Sequence, residues 1–176
     1  LAARKGSRLI VYEDISEAVF KIMIGPEKKS RIISEKERKL TAYHEAGHAL
    51  VARLLPHADP VHKISIVVRG MSLGHTRQLP TEDRYLMTRQ ELMGKIDVLL
   101  GGRMAESIVF GDVSTGAHND LKRATDIARA MVLEYGMGKT LGLSTYPRQR
   151  HPAFLSTEQA PLVGKEYSEA TAAQLD

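Results

Sequence analysis

Residues 44–48 read His-Glu-Ala-Gly-His, and the pentapeptide sits inside a helical pattern. Two imidazoles four positions apart stand one turn apart on one helix face, where both can reach a single Zn²⁺. Glu45, beside the first of them, is then placed to act as general base toward water at the metal. The flanks agree with a helix: Ser34-Glu35-Lys36-Glu37 has the form of a capping box and Pro56 sets the far end, so the spacing predicts a helix over 34–55. At about 100° per residue, Leu40, Tyr43, Gly47, Leu50, Val51 and Leu54 gather on one apolar stripe. His44 and His48 fall along its edge, and Glu45 further toward the polar side. That placement suits a metal site between core and cleft. A surface helix with two half-exposed histidines and a solvated glutamate is the rival that the cap and the stripe disfavour.

The remaining composition narrows the chemistry. The chain has no cysteine, which excludes disulfides and thiolate ligands and leaves His and carboxylate to hold a metal. At 176 residues with 43% apolar content it has the size and make-up of one globular domain with a real core. No apolar run approaches the length that spans a bilayer, and no signal-peptide pattern opens the sequence, so the fragment is expected to be soluble. The formal charge of +4 is mild and scattered. Its densest basic group, Lys28, Lys29 and Arg31, reads as a solvated linker and not as a nucleic-acid surface.

The pattern along the chain is mainly α with a small β-hairpin. Near the start, Ile15, Val19, Ile22 and Met23 mark a short helix that Gly25-Pro26 ends, and a charged connector follows. This leading segment, 1–33, is either a packed arm or the tail of a neighbouring domain. Beyond the first long helix, Ile64, Ile66 and Val68 alternate in a strand over 62–68; Arg69-Gly70 turns, and 71–79 returns as a second strand closed by Pro80. A glycine-bearing strand ending at proline suits a sheet edge, where an extended peptide can add by backbone pairing, although a short edge hairpin alone accounts for the pattern. Thr88-Arg89-Gln90-Glu91 is a second capping box, opening a helix to about Phe110 with Leu92, Ile96, Leu99, Leu100 and Ile108 as its core face. Gly101-Gly102 inside it costs roughly 1 kcal/mol per glycine, which close approach of another backbone would offset. Ser114-Thr115-Gly116 breaks the chain before a third helix over 119–135, stopped by Gly136; beyond Thr140 the chain is loop-like, with a closing helical pattern over 167–176.

Gly138-Lys139-Thr140 resembles the end of a P-loop, but Leu133 stands where that motif needs glycine, and a helix precedes it where a strand should. A catalytic zinc takes three protein ligands and keeps one position open. The candidates for the third are Asp120, Glu106, His75 and His118. Asp120 opens the third helix, where the macrodipole also favours an acid. Glu106 lies four residues past Gly102, where it can face the first long helix or serve as a supporting carboxylate. Spacing does not separate these two, and lone histidines such as His75 and His118 are weaker candidates.

The run Leu40-Thr41-Ala42-Tyr43-His44-Glu45-Ala46-Gly47-His48-Ala49-Leu50 resembles the zinc-site helix of the FtsH family of membrane-anchored AAA+ metalloproteases. Three further blocks resemble it in the same order: Gly74-His75-Thr76 through Leu79-Pro80, Gly101-Gly102-Arg103-Met104-Ala105-Glu106, and Ser114-Thr115-Gly116-Ala117-His118-Asn119-Asp120-Leu121. Tyr167-Ser168-Glu169-Ala170-Thr171-Ala172 adds a fifth.

The resemblance implies a zincin-type helical metalloprotease domain in which His44, His48 and Asp120 hold one zinc per subunit and Glu45 is the catalytic base. Zinc-activated water would attack the peptide carbonyl, with His75 or His118 as a conceivable oxyanion donor. Glu106 and Asn119 would then be supporting residues, and Met71, Leu73, Gly74, His75 and Thr76 the edge that polypeptide substrate lies against. Residues 1–25 would be the end of an AAA+ small helical domain, 26–33 a linker, and 34–176 the protease domain, short of its closing helices. The implied parent is a homo-hexamer that degrades unfolded or membrane proteins using ATP. Its ATPase module and membrane segments would lie outside this sequence, in a bacterial inner membrane with this domain facing the cytoplasm, or in a mitochondrial or chloroplast membrane. Two rivals follow: a structural zinc domain without hydrolysis, in which Glu45 has no use, and another zincin peptidase with Glu106 as the ligand.

Overall fold

The structure, a computed structural model, describes residues 2–23, 25–28, 33–69, 73–79 and 84–146. Met71 and the closing pattern over 167–176 lie outside the described residues. Four helices and a hairpin make up the ordered elements: α1 (Tyr12–Met23), α2 (Glu35–Leu54), β1 (Val61–Ser65), β2 (His75–Gln78), α3 (Arg89–Phe110) and α4 (His118–Leu133). None of the described helices is long and apolar enough to cross a membrane.

The two long helices begin by the same device. Ser34 Oγ accepts from the Glu37 amide at 3.2 Å while Glu37 Oε2 accepts from the Ser34 amide at 3.2 Å. Thr88 and Glu91 repeat the exchange at 3.3 and 2.7 Å. Each box satisfies two amides that the first turn leaves open, worth about 1 kcal/mol. Leu55 ends α2 in extended backbone, the conformation that the following proline imposes. Gly111 ends α3 at φ 65°, and Gly136, at φ 61°, follows α4. A single 3₁₀ turn, Thr115–Ala117, joins α3 to α4 and fixes the direction in which α4 sets out.

α3 packs between α2 and α4, and the hairpin lies on α2. The crossing of α2 and α3 is made by glycine. A Cβ on Gly101 would sit 2.8 Å from the Gly47 carbonyl, and one on Gly47 would run into the Gly101 carbonyl and Ala105. The expected backbone approach is present, and it changes which faces are buried. On α2 the buried residues are Thr41, His44, Glu45, Gly47, His48, Ala49 and Ala52, whereas Tyr43, Leu50 and Leu54 are exposed. On α3, Leu92, Gly94, Val98, Gly101, Gly102 and Glu106 are buried, and Ile108, expected in the core, is 79% exposed. Hydrophobic periodicity follows the large side chains. Here the small ones bring the helices together, so part of the large stripe turns outward.

The strands are shorter than the alternation suggests. β1 and β2 pair antiparallel with Ile64 opposite Thr76 and Ser65 opposite His75, and the register is irregular between Val61 and Lys63. Arg69 bridges to Glu27, and the Lys28 amide donates to the Val68 carbonyl at 3.0 Å; Gly70, the second residue of the expected turn, lies outside the described residues. The Arg69 guanidinium donates twice to the Glu17 carboxylate of α1, at 2.8 and 3.1 Å. This pair ties α1 of the leading segment to the hairpin through a largely buried arginine. Planar two-point pairing to a carboxylate is strong among ion pairs. Arg69→Met is expected to cost about 2 kcal/mol, read as faster amide exchange across α1 with α2 and α3 unchanged; unaltered protection of α1 would show that the clamp does not hold the arm.

Candidate metal centre

His44 and His48 stand one turn apart on the buried side of α2, and the first turn of α4 brings Asp120 to them. The His44 and His48 Nε2 atoms are 3.0 Å apart, and Asp120 Oδ2 lies 3.3 Å from the first and 3.4 Å from the second. A triangle with those sides has a circumradius of about 1.9 Å, so a point about 2 Å from all three atoms, the usual Zn–N and Zn–O distance, lies just off its plane. Among the described residues these three form the one group of histidine and acidic side chains with converging donor atoms.

The hydrogen bonds behind the rings set what those atoms can do. His44 Nδ1 lies 2.7 Å from Glu106 Oε1, and His48 Nδ1 lies 2.7 Å from the Val98 carbonyl. Both partners are acceptors, so each Nδ1 carries the hydrogen and, in the neutral ring, each Nε2 presents a lone pair inward. Two lone pairs and a carboxylate oxygen then face one another, an arrangement that only a cation or a proton at their centre makes favourable. Burial pushes the Asp120 carboxyl up, but hydrogen bonding to His44 and His48 outweighs it and holds the group well below the usual carboxylate range. Burial likewise lowers His44, and the Asp120 and Glu106 carboxylates more than reverse that. The anions that favour a proton on His44 favour a divalent cation equally. Nitrogen and oxygen donors without sulfur, oriented from behind by a carboxylate and a carbonyl, fit a zinc site with three protein ligands.

Glu106 is not among the converging atoms. It is fully buried on α3 behind His44, where the Ser114 amide donates to Oε2 at 2.7 Å and the Ser114 hydroxyl to Oε1 at 3.1 Å. Burial raises this carboxyl, and the Ser114 and His44 hydrogen bonds outweigh it and keep Glu106 ionised. Of the two carboxylates that spacing does not separate, Asp120 converges with the two Nε2 atoms, whereas α3 presents Glu106 to the far nitrogen of His44. Gly102 lies directly beneath the rings, since a Cβ there would sit 2.6 Å from His48 Nε2 and 2.7 Å from His44 Nε2.

Glu45 lies outside the triangle, on the wall of a cleft of about 1160 Å³ that also contains the three donors. Burial raises its carboxyl; the opposing hydrogen bond comes from the Thr76 hydroxyl at 2.7 Å. Of the other expected residues, Leu73, Gly74, His75, Thr76 and Asn119 line the same cleft. Burial pushes the His75 imidazole down, helped by the charges of Arg69, Lys63 and Arg77. His118, exposed at the start of α4, does not line the cleft. Two contributors have no counterpart in the sequence reading, the Val98 carbonyl and the Ser114 amide and hydroxyl, and Gly102, expected to admit a neighbouring backbone, lies instead under the rings. Only the Gly101-Gly102 pair carried a visible signal, the cost of two glycines inside a helix.

The comparison with known proteins agrees with this arrangement. Residues 31–176 match the family described as Peptidase family M41. The chain is 55% identical over its whole length to the ATP-dependent zinc metalloprotease FtsH of Syntrophobacter fumaroxidans, covering 27% of that protein. It is 52% identical to the protein of the same name from Ralstonia pickettii and 51% to ATP-dependent zinc metalloprotease FtsH 1 of a Thermoanaerobacter species, covering 25% and 28% of them. The chain thus spans about a quarter of the length of the curated relatives it matches. With the family match covering most of the sequence, both long helices, the hairpin and α4, the chain belongs to peptidase family M41.

Proposed function

We propose that this chain is the proteolytic domain of an ATP-dependent zinc metalloendopeptidase, with zinc held by His44, His48 and Asp120 and with Glu45 as general base. The observation that carries the reading is the convergence of two inward-facing imidazole lone pairs and one carboxylate oxygen, with an unligated glutamate beside them. Zinc, when bound, polarises the scissile carbonyl and makes water acidic enough to give up a proton near neutral pH.

The chain's own residues do the rest. The cleft runs alongside residues 73–76, where an extended polypeptide would lie, and Glu45 is buried in its wall. Glu45 takes the proton from the attacking water and returns it to the departing amine as the peptide bond breaks. Glu106 and the Val98 carbonyl hold the two rings in the tautomer that leaves Nε2 free, and Asn119 stands next to Asp120 as a supporting residue.

At the level of the whole protein, the relatives' names support ATP-dependent proteolysis; unfolded or membrane polypeptides are the substrates that the reading proposes. Residues 1–25 fit the end of an AAA+ small helical domain, 26–33 a linker and 34–176 the protease domain. The assembly proposed is a homo-hexamer anchored by segments outside this sequence, in a bacterial inner membrane with this domain on the cytoplasmic side. Metal analysis paired with a cleavage assay tests the core of the reading. One zinc per chain is expected, with cleavage of an unfolded protein lost on chelation and restored by zinc. Zinc binding without any cleavage would instead identify an assembly domain that keeps its ligands and has lost hydrolysis.

A further inference from the structure

We infer that Thr76 is a positioning residue for the general base: its hydroxyl, on the strand that borders the cleft, holds one oxygen of the Glu45 carboxylate so that the other is presented to water. The inference rests on Glu45 being the base. Thr76 Oγ1 is 2.7 Å from Glu45 Oε2 and 3.0 Å from the Glu45 carbonyl oxygen. One hydroxyl hydrogen thus has two acceptors, both on the same residue, and whichever it takes, β2 is fastened to Glu45. Two residues earlier the chain makes room on the same side. A Cβ at Gly74 would meet Glu45 Oε1 at 2.9 Å, Glu45 Cγ at 2.9 Å and Thr41 Cγ2 at 2.7 Å. Positions two apart on an extended segment face the same way. Gly74 therefore makes room for the Glu45 carboxylate beside the strand, and Thr76 ties down Oε2.

The consequence is a mechanical link between substrate binding and chemistry. A glutamate side chain has several staggered rotamers, and burial of Glu45 does not by itself choose the one that aims its carboxylate at the metal site. Thr76 selects one of them from β2, whose partner across the hairpin is Ile64. A substrate that seats against this strand fixes the strand, and with it the base. This role differs from direct substrate contact, which residues 73–76 were expected to share on resemblance alone.

Thr76→Val keeps the β-branched shape and removes the hydroxyl; Thr76→Ser keeps the hydroxyl. In the zinc-loaded protein the Val variant is expected to lower kcat by about 10- to 100-fold, with KM within about twofold of the parent and zinc affinity by chelator competition unchanged. The Ser variant is expected to recover most of kcat. If the Val protein fails to fold, Thr76→Ala takes its place under the same criteria. A parent-like kcat in the Val variant overturns the proposal, as does a Ser variant no better than Val, or a rise in KM with kcat intact, which would make Thr76 a substrate contact. Glu45→Gln measured alongside separates the two levels. Hydrolysis surviving in Glu45→Gln removes the base assignment itself, whereas an inactive Glu45→Gln beside a fully active Thr76→Val removes only the role of Thr76.

Discussion

Glu45→Gln is expected to lower hydrolysis of an unfolded protein by about 10³-fold or more while zinc content stays at one per chain. The two halves of this expectation come from different parts of the geometry. Retention of metal follows because Glu45 contributes no atom to the triangle of donors, whose members are oriented by Glu106, Val98 and the first turn of α4. The loss of turnover follows because an amide has no basic oxygen to accept a proton, although it fills the same space and its carbonyl can still accept the Thr76 hydroxyl. The contrast with His44→Ala is informative: that change removes a donor and strands the buried Glu106 carboxylate, so metal and activity should fall together. Cleavage of casein or a similar unfolded protein, with zinc measured on the same samples, gives the result. A zinc-loaded Glu45→Gln protein that still cleaves at a comparable rate would assign the proton transfer to another group.

What could be read from the residues in advance was local. The two capping boxes, the stop at Pro56 and the glycine beyond α4 are short-range signals, and the observed helix ends agree with them to within about two residues. The pair His44 and His48 is equally local, because helix geometry alone puts both rings on one face. The third donor is not. Asp120 lies 76 positions from His44, and its direction depends on the 3₁₀ turn over Thr115–Ala117 and on how deeply α3 sinks into α2. Ser114 ties these together: its amide and hydroxyl hold Glu106, while its hydroxyl also accepts from the Gly116 amide that starts the turn. No periodicity reports such a junction, so Glu106 and Asp120 stayed equivalent by spacing.

The expected core faces hold in part: Leu92 is buried and Leu40, Val51, Ile96, Leu99 and Leu100 are half-buried, whereas Leu50, Leu54 and Ile108 are exposed, the helices meeting backbone to backbone at Gly47 and Gly101. The hairpin ends early because Arg69 turns its guanidinium to Glu17 while its backbone bridges to Glu27, leaving residues 66–68 outside the ladder. Thr76 gave no sign of its hydrogen bond, since a threonine in a strand is ordinary.

Gly102→Ala is expected to lower zinc affinity by about 10²-fold or more and to take hydrolysis with it, although it adds one methyl group to a residue that ligates nothing. The added Cβ would stand 2.6 Å from His48 Nε2 and 2.7 Å from both Nε2 and Cε1 of His44, inside contact distance of the donor atoms themselves. Neither ring can yield cheaply, because each is held from its other nitrogen at 2.7 Å by a partner on α3, the helix that carries Gly102. If α3 backs away to make room, Glu106 and Val98 retreat with it and the tautomer-fixing bonds stretch. The helix is also held at Gly101, where the backbones of α2 and α3 already touch. Overpacking of this kind costs about 1–3 kcal/mol, and here the strain falls on the metal site. Gly94→Ala on the same helix is the internal control: a Cβ there meets nothing within 4 Å, so it should leave zinc binding alone and gain about 0.5–1 kcal/mol from helix propensity. Chelator competition on the two variants, at matched helix content, separates a local clash from a general effect of removing glycine. Parent-like zinc affinity in Gly102→Ala would mean that the rings move freely, and the fixed-tautomer account of the site would fall with it.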